Sequence, residues 1–432
     1  MANSTGNRYR KRVADDILVK KMKAFGAVLI TGPKGCGKTT TAKRHCKSII
    51  EFQDEDNRDG YLSVANTMPS KLLEGEKPRL LDEWQDAPKI WGAVRKSVDD
   101  LQKPGQYVLT GSTSRSVDTP HTGTLRISRM QMYPMSLYES GESNGSISLK
   151  ELFDDPHSFK GCHSDLDVDG IIHAICRGGW PSSLNIKDEE GRLMIAKDFF
   201  TQTCEVDISN VDGVKRNPTI AKTLLRSYSR NICQLTDNKT LIADVRSNSD
   251  LADSTFYDYV QTLEKLHVIY NVDAWNPSIR SKTAIRTTKK KNLVDPSIAV
   301  AALGIGPKYF NTDFNTLGFL FESLCIRDLR VYLSAYGGDI SHYHDRYGLE
   351  ADAVVHLDDG RYAICEMKLG ESDVDAAAKH LGEIESLVNK NNAKKGNPYI
   401  RPPDLKIVIT GTEYGYLRED GVYVIPVGCL RP

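Results

Sequence analysis

The stretch Ala27-Val28-Leu29-Ile30-Thr31-Gly32-Pro33-Lys34-Gly35-Cys36-Gly37-Lys38-Thr39-Thr40 sets the terms on which the surrounding chain must fold. Four apolar residues read as a short buried strand, and the segment after Lys38 is compatible with a helix. Between them, Gly32 to Thr39 fits G-x-x-x-x-G-K-[ST] at every fixed position. Glycines there let the backbone curl so that amide N–H groups point inward, and the following helix adds its positive end. Such a loop encloses a polyphosphate. Lys38 would neutralise the β- and γ-phosphates, and the Thr39 hydroxyl would ligate Mg²⁺. Pro33, Lys34, Gly35, Cys36, Gly37 and Thr40 complete the expected nucleotide contacts. A chance match in a glycine-containing loop is the bland alternative, and the strand and helix on either side argue against it.

Working outward, Pro78-Arg79-Leu80-Leu81-Asp82-Glu83 is an apolar strand that ends in two carboxylates. Asp82 is the expected second metal residue, and Glu83 the group that orients and deprotonates the attacking water. The next strand ends in Thr110-Gly111-Ser112. Ser112 either senses the γ-phosphate or, with Thr113 as the other choice, caps a helix. Arg126 and Arg129 bracket a further short strand. Either would serve as an arginine finger, in its own chain or a neighbour's, or both are ordinary surface arginines. Apolar runs at 27–30, 48–52, 79–82, 107–110 and 127–132 alternate with helical stretches, which implies an α/β domain with a parallel sheet covered on both faces.

The 432 residues suggest two or three domains. We expect domains at 1–145, 146–305 and 306–432, with the Gly/Ser stretch 140–148 as the first boundary. Formal net charge is zero, so any nucleic-acid contact must come from a local basic patch. The nine cysteines show no metal spacing, no signal peptide or membrane span is evident, and a cytoplasmic protein with reduced thiols is expected.

The run from Ile30 through Leu81-Asp82-Glu83-Trp84-Gln85, Leu109-Thr110-Gly111-Ser112 and Met130-Gln-Met-Tyr-Pro-Met-Ser-Leu-Tyr-Glu-Ser-Gly141 resembles the prokaryotic AAA+-type ATPases. More narrowly, it resembles the branch whose second half is a conserved domain of unknown function. Val206-Asp-Ile-Ser, Asp212-Gly-Val, Ala274-Trp-Asn-Pro, Arg280-Ser-Lys-Thr and Val294-Asp-Pro-Ser carry that second half. The resemblance implies ATP with Mg²⁺, and a homo-oligomer. Arg226 and Arg230, one helical turn apart, are the candidates for a second sensor arginine.

In the mainly helical middle region, 249–266 resembles the second and third helices of a winged helix-turn-helix, with His267-Val-Ile-Tyr-Asn-Val-Asp-Ala-Trp275 as wing strand. Lys282, Arg286 and Lys289-Lys290-Lys291 would then form a DNA-facing patch, or the lysine run is simply a solvated turn. The final region returns to α/β, with a helix at 317–333 and strands at 340–345, 350–357, 362–369 and 405–410. Asp352 on one strand of a hairpin faces Glu366-Met-Lys368 on the next, and Glu322 lies on the preceding helix. This resembles the PD-(D/E)xK nuclease fold, in which the acids (Glu322, Asp352, Glu366) would hold Mg²⁺ or Mn²⁺ and Lys368 would position hydroxide. A salt-bridged sheet face is the other reading of the same residues.

Two functions remain open on sequence. One is an ATPase whose nucleotide state controls a nuclease-like domain acting on DNA. The other is a nucleotide-gated scaffold that captures a protein or DNA partner, with an inactive C-terminal domain. A small-molecule kinase is disfavoured, because no acceptor segment is evident and the second half is too large for a lid.

Overall fold

The computed structural model describes residues 9–112, 123–247, 249–275, 288–345, 348–396 and 399–432. Strands β1 (Ala27–Thr31), β2 (Ser48–Glu51), β3 (Arg79–Asp82), β4 (Tyr107–Gly111) and β5 (Ile127–Gln131) form one sheet in the order β2-β3-β4-β1-β5. All four pairings are parallel. Strand alternation gives each strand two apolar faces. Ala27 and Leu29 pack with Ile90, Trp91 and Val94 of helix Lys89–Leu101. Val28 and Ile30 pack on the other side with Ala14 and Leu18 of helix Val13–Ala24 and Ala42 of helix Lys38–His45. The expected two-sided parallel sheet is therefore present.

The middle region is mostly helical. Helices Pro218–Arg230, Asn238–Arg246 and Asp253–Lys265 precede two segments that pair antiparallel, through Ile269 with Leu293 and Val272 with Lys290. The stretch 249–266 holds one helix, not two. Ala252 is extended and Leu251 is buried, so the chain turns there and the preceding helix lies further upstream. Within His267 to Trp275, expected as a wing strand, only Asp273–Ala274 forms a strand, and Ile269 and Val272 make isolated antiparallel bridges to Leu293 and Lys290.

The third unit is built on an eight-stranded sheet. Its strands are β7 (Cys162–His163), β8 (Asp273–Ala274), β9 (Asp339–His344), β10 (Glu350–His356), β11 (Tyr362–Lys368), β12 (Leu405–Thr410), β13 (Tyr414–Leu417) and β14 (Val422–Pro426), in the order β7-β13-β14-β12-β11-β10-β9-β8. Both edge strands come from before residue 306. A further pair joins β6 (Ile147–Ser148) to β15 (Leu430–Arg431). The boundary read at 305/306 is thus crossed by main-chain pairing, because the apolar sheet edges are completed by segments far upstream.

The long helix Phe314–Ser334 carries the largest core. Buried Arg327 lies 3.1 Å from Asp295 and 2.7 Å from Asp328. Asp295 also caps helix Pro296–Leu303 through the Ser297 amide (3.0 Å) and accepts from the Gly179 amide (2.9 Å). Asp328 accepts from the Leu137 amide at 2.9 Å. The Val294-Asp-Pro-Ser segment therefore ties the middle region to the long helix, and Asp328 of that helix ties it to the first region. Among the described residues, no helix is long and apolar enough to cross a membrane.

Candidate functional site

The glycine loop lies at the C-terminal end of β1. Gly32, Gly35 and Gly37 have φ of 151°, 74° and 103°, values that side chains other than glycine rarely tolerate. Lys38 is buried at the start of its helix and donates to the Gly32 and Pro33 carbonyls at 3.0 and 2.9 Å. Its ammonium thus lies within the curl of the loop. The Thr39 hydroxyl donates to Asp82 Oδ1 at 2.8 Å, and Thr110 donates to the same oxygen at 2.5 Å. Burial pushes the Asp82 carboxyl up, and the two hydroxyls work against that rise. A hydroxyl and a carboxylate in direct contact beside a curled loop fit one Mg²⁺ and a polyphosphate.

Glu83 follows with φ 52° and ψ 49°, a left-handed conformation that costs a non-glycine residue about 1–3 kcal/mol. That bend turns its side chain off the strand. Gln85 Nε2 donates to Glu83 Oε2, as do the Ser112 hydroxyl (3.2 Å) and amide (3.4 Å). Ser112 thus holds the carboxylate expected to handle water. The helix-capping alternative at Thr113 lies outside the described residues.

Arginine placement differs from the sequence expectation. Arg126 precedes the first residue of β5, which pairs with the first residue of β1, whereas the loop follows the last. A strand of five residues separates them by roughly 16 Å. Arg126 instead pairs with Asp99 at 2.8 Å, and Arg129 lies 5.8 Å over the Trp91 ring. Neither lines the nucleotide cavity. Arg226 and Arg230 lie at a separate hollow beside Tyr309 and Phe319. The structure brings none of the four to the loop of the same chain.

The residues that do surround the loop were not read from sequence. Arg12 donates to the Cys36 carbonyl (2.9 Å) and the Tyr133 carbonyl (2.9 Å), and its Nε lies 3.0 Å from Glu139. Glu139 belongs to the capping box of helix Leu137–Ser140. The Met-Ser-Leu-Tyr-Glu-Ser-Gly stretch therefore buttresses the loop from behind. Asp207, at the end of a π-helical turn Thr203–Asp207, reaches Lys34 of the loop at 2.6 Å. His267 is buried beside the end of β5, with Nδ1 3.4 Å from Gln131 Nε2 and Nε2 without a hydrogen-bond partner. Burial, and then the charge of Lys38, lower its pKa to about 4. A cavity of about 1160 Å³ opens here. Lys38, Thr39, Glu83 and Ser112 line one wall, and Pro181, Asn185, Asp207, Asn210 and Leu266 line the other. Only the pairing of distant segments in three dimensions reveals that second wall.

In the C-terminal sheet the predicted acids do converge. Asp352 Oδ2 accepts from the Met367 amide at 2.9 Å, and Lys368 lies 2.7 Å from Glu366 and 3.6 Å from Asp352. A fifth charge sits among them. Lys290 Nζ is 2.6 Å from Glu322 and 3.6 Å from Asp352. Burial opposes a charge on Lys290, but Glu322 and Asp352 outweigh it and hold its pKa above the ordinary lysine range. Burial likewise opposes the Asp352 carboxylate, which Lys290 and Lys368 hold below the usual range. Burial and then Asp352 push Glu366 up to about 8. Among the described residues, no group of three or more His, Cys, Asp or Glu side chains has a geometry fit for a metal ion.

The basic patch is also corrected. Lys290 and Lys291 are buried, the latter donating to Asn238 at 2.6 Å, while Lys289 pairs with Asp273 at 2.8 Å. Two of the three lysines of the run are thus held inside the fold, and exposed Lys289 pairs with exposed Asp273 at the surface. Lys282 and Arg286 lie outside the described residues.

Residues 24–141 match an AAA domain family. This region is an AAA-type domain with ATPase activity. Residues 169–309 and 317–430 match two domains of unknown function, DUF8612 and DUF4143. Among solved structures, the Walker-type ATPase of Pyrococcus abyssi is similar over 68% of this chain and 96% of its own, with 12% identity and a TM-score of 0.40. No curated protein matches the chain in sequence.

Proposed function

We propose that this ATPase uses its nucleotide state to set the contact between the P-loop domain and the middle region, and so gates a binding surface carried by the second half of the chain. The observation that carries this reading is the ion pair between Lys34, inside the phosphate loop, and Asp207, on the opposite wall of the cavity. A triphosphate brings several negative charges beside Lys34 and repels a carboxylate at the same place. Binding, hydrolysis and release then change what Asp207 gains from its partner, which is the differential contact a nucleotide switch requires. In this account Lys38 and the loop glycines hold the phosphates, Thr39 and Asp82 hold Mg²⁺, and Glu83, steadied by Ser112 and Gln85, accepts the proton of the attacking water. Mg²⁺ supplies charge neutralisation on the transferring phosphoryl group.

Hydrogen exchange of the full chain tests the gate. ATP with Mg²⁺ should change protection across 203–211 in the parent and leave it unchanged in Lys38→Ala. Equal exchange with and without nucleotide in the parent would refute the gate. A homo-oligomer in which Arg126 or Arg129 serves a neighbour's site is the role left to those side chains. An ATPase rate per chain that stays constant with protein concentration would count against it.

One observation favours a second reading, in which the C-terminal domain cuts DNA: Glu322, Asp352, Glu366 and Lys368 do share one buried cluster. Incubating supercoiled plasmid with Mg²⁺ or Mn²⁺, parent beside Asp352→Ala, separates the two. Nicking that depends on Asp352 supports the nuclease, and its absence supports the scaffold.

A further inference from the structure

We propose that Lys290 is a built-in cation whose ammonium stands where a divalent metal would bridge Glu322 and Asp352, closing the C-terminal acid cluster to metal. This draws on the C-terminal cluster alone, so it stands or falls separately from the nucleotide reading.

Three acids brought together by a helix and two strands ordinarily need a positive partner, since unpaired buried carboxylates are costly. A metal is one solution. The chain supplies another. Lys290 Nζ lies 2.6 Å from Glu322 Oε1, 3.6 Å from Asp352 Oδ1 and 3.4 Å from the Asp352 carbonyl. It is buried, with about 5% of its surface exposed. Its position is set by the main chain. Lys290 and Val272 exchange both backbone hydrogen bonds at 2.9 Å, directly beside edge strand β8. The side chain is therefore fixed in register with the sheet and does not reach in from a loose surface segment.

The other oxygens are largely taken as well. Asp352 Oδ2 accepts from the Met367 amide, and Glu366 Oε2 holds Lys368. Glu322 and Asp352 face the Lys290 ammonium and Glu366 faces that of Lys368, so each acid already has a cationic partner supplied by the chain. Glu366 Oε1 has no hydrogen-bond partner, and His380 Nδ1 is 4.0 Å from it. One orphan oxygen gives a metal far less than the several oxygens it needs. Lys290 belongs to the segment 169–309, whereas the three acids belong to 317–430. The plug is thus delivered from the region that also walls the ATP cavity.

Mn²⁺ uptake, followed as loss of the free-ion paramagnetic resonance signal, tests this on the full chain without nucleotide. The parent, Lys290→Arg and Lys290→Met are each measured with and without Asp352→Asn. Glu366→Gln replaces Asp352→Asn wherever the latter does not fold. The parent and Lys290→Arg should show no Mn²⁺ that depends on Asp352. Lys290→Met should gain one ion per chain and lose it with Asp352→Asn. Uptake by the parent at a site lost with Asp352→Asn overturns the proposal, and so does a Lys290→Met protein with native near-UV dichroism that takes up none. Should Lys290→Met fail to fold, the parent titration decides: equal uptake with and without Asp352→Asn supports the plug, and unequal uptake overturns it.

Discussion

Glu83 combines a carboxylate, a left-handed backbone and two clamping side chains at the tip of β3. Glu83→Gln keeps the shape but removes the base. Steady-state hydrolysis should fall by roughly 10²–10⁴-fold while nucleotide binding persists; a rate within twofold of the parent would show that Glu83 handles no proton. His267 yields a pH prediction. Its folded pKa of about 4 lies below the unfolded value of 6.5, so the unfolded chain binds more protons between them. This histidine therefore costs nothing above pH 6.5 and destabilises progressively as pH falls toward 4. At pH 4.5 the cost is about 2–3 kcal/mol. Urea unfolding of His267→Gln should lose correspondingly less stability than the parent between pH 7 and 4.5, and identical losses would contradict the assignment. At this scale the fixed positions of the loop, Asp82 and Glu83 were legible, because one local device demands those residues at those spacings. Arg12, Asp207, His267 and Lys290 were not, because each acts through a partner 24 to 173 positions away.

Among the elements, the five strands of the first sheet and β9 to β12 of the last were readable from apolar runs bounded by turns, since buried strands leave little else such runs can be, whereas β13 and β14 were not read. The edge strands β6, β7 and β8 were not. Each is two residues long and makes sense only against its partner. The buttress between helix Leu137–Ser140 and the loop permits an element-scale prediction. Glu139→Gln leaves buried Arg12 without its charge partner and should cost about 3–5 kcal/mol. Chemical denaturation measures it, and a loss under 1 kcal/mol would mean that the loop does not lean on this helix. Arg327 and Asp295 form a comparable link between helix Phe314–Ser334 and the cap of Pro296–Leu303. Asp295→Ala should destabilise by a similar amount, read in the same way.

For the molecule as a whole, three regions share one set of ties: main-chain pairing across 305/306, the contacts of Asp295 with Arg327 and of Asp328 with Leu137, and the cavity lined from two regions. The sequence pointed to three regions but not to their interleaving, since pairings such as β7 with β13 span some 250 residues and leave no local pattern. Asp207→Ala removes the carboxylate that holds Lys34. If the pair opposes triphosphate, this variant should bind ATP more tightly than the parent, by up to about fivefold for a partly exposed ion pair. Weaker binding by calorimetry would mean that Asp207 helps to hold nucleotide instead. The account rests before all else on the loop of Gly32 to Thr39 as a working phosphate site, and phosphate release from ATP in Mg²⁺ buffer measures this directly. The parent should turn over and Lys38→Ala should not; hydrolysis by Lys38→Ala at the parent's rate, with both proteins folded, would contradict the account.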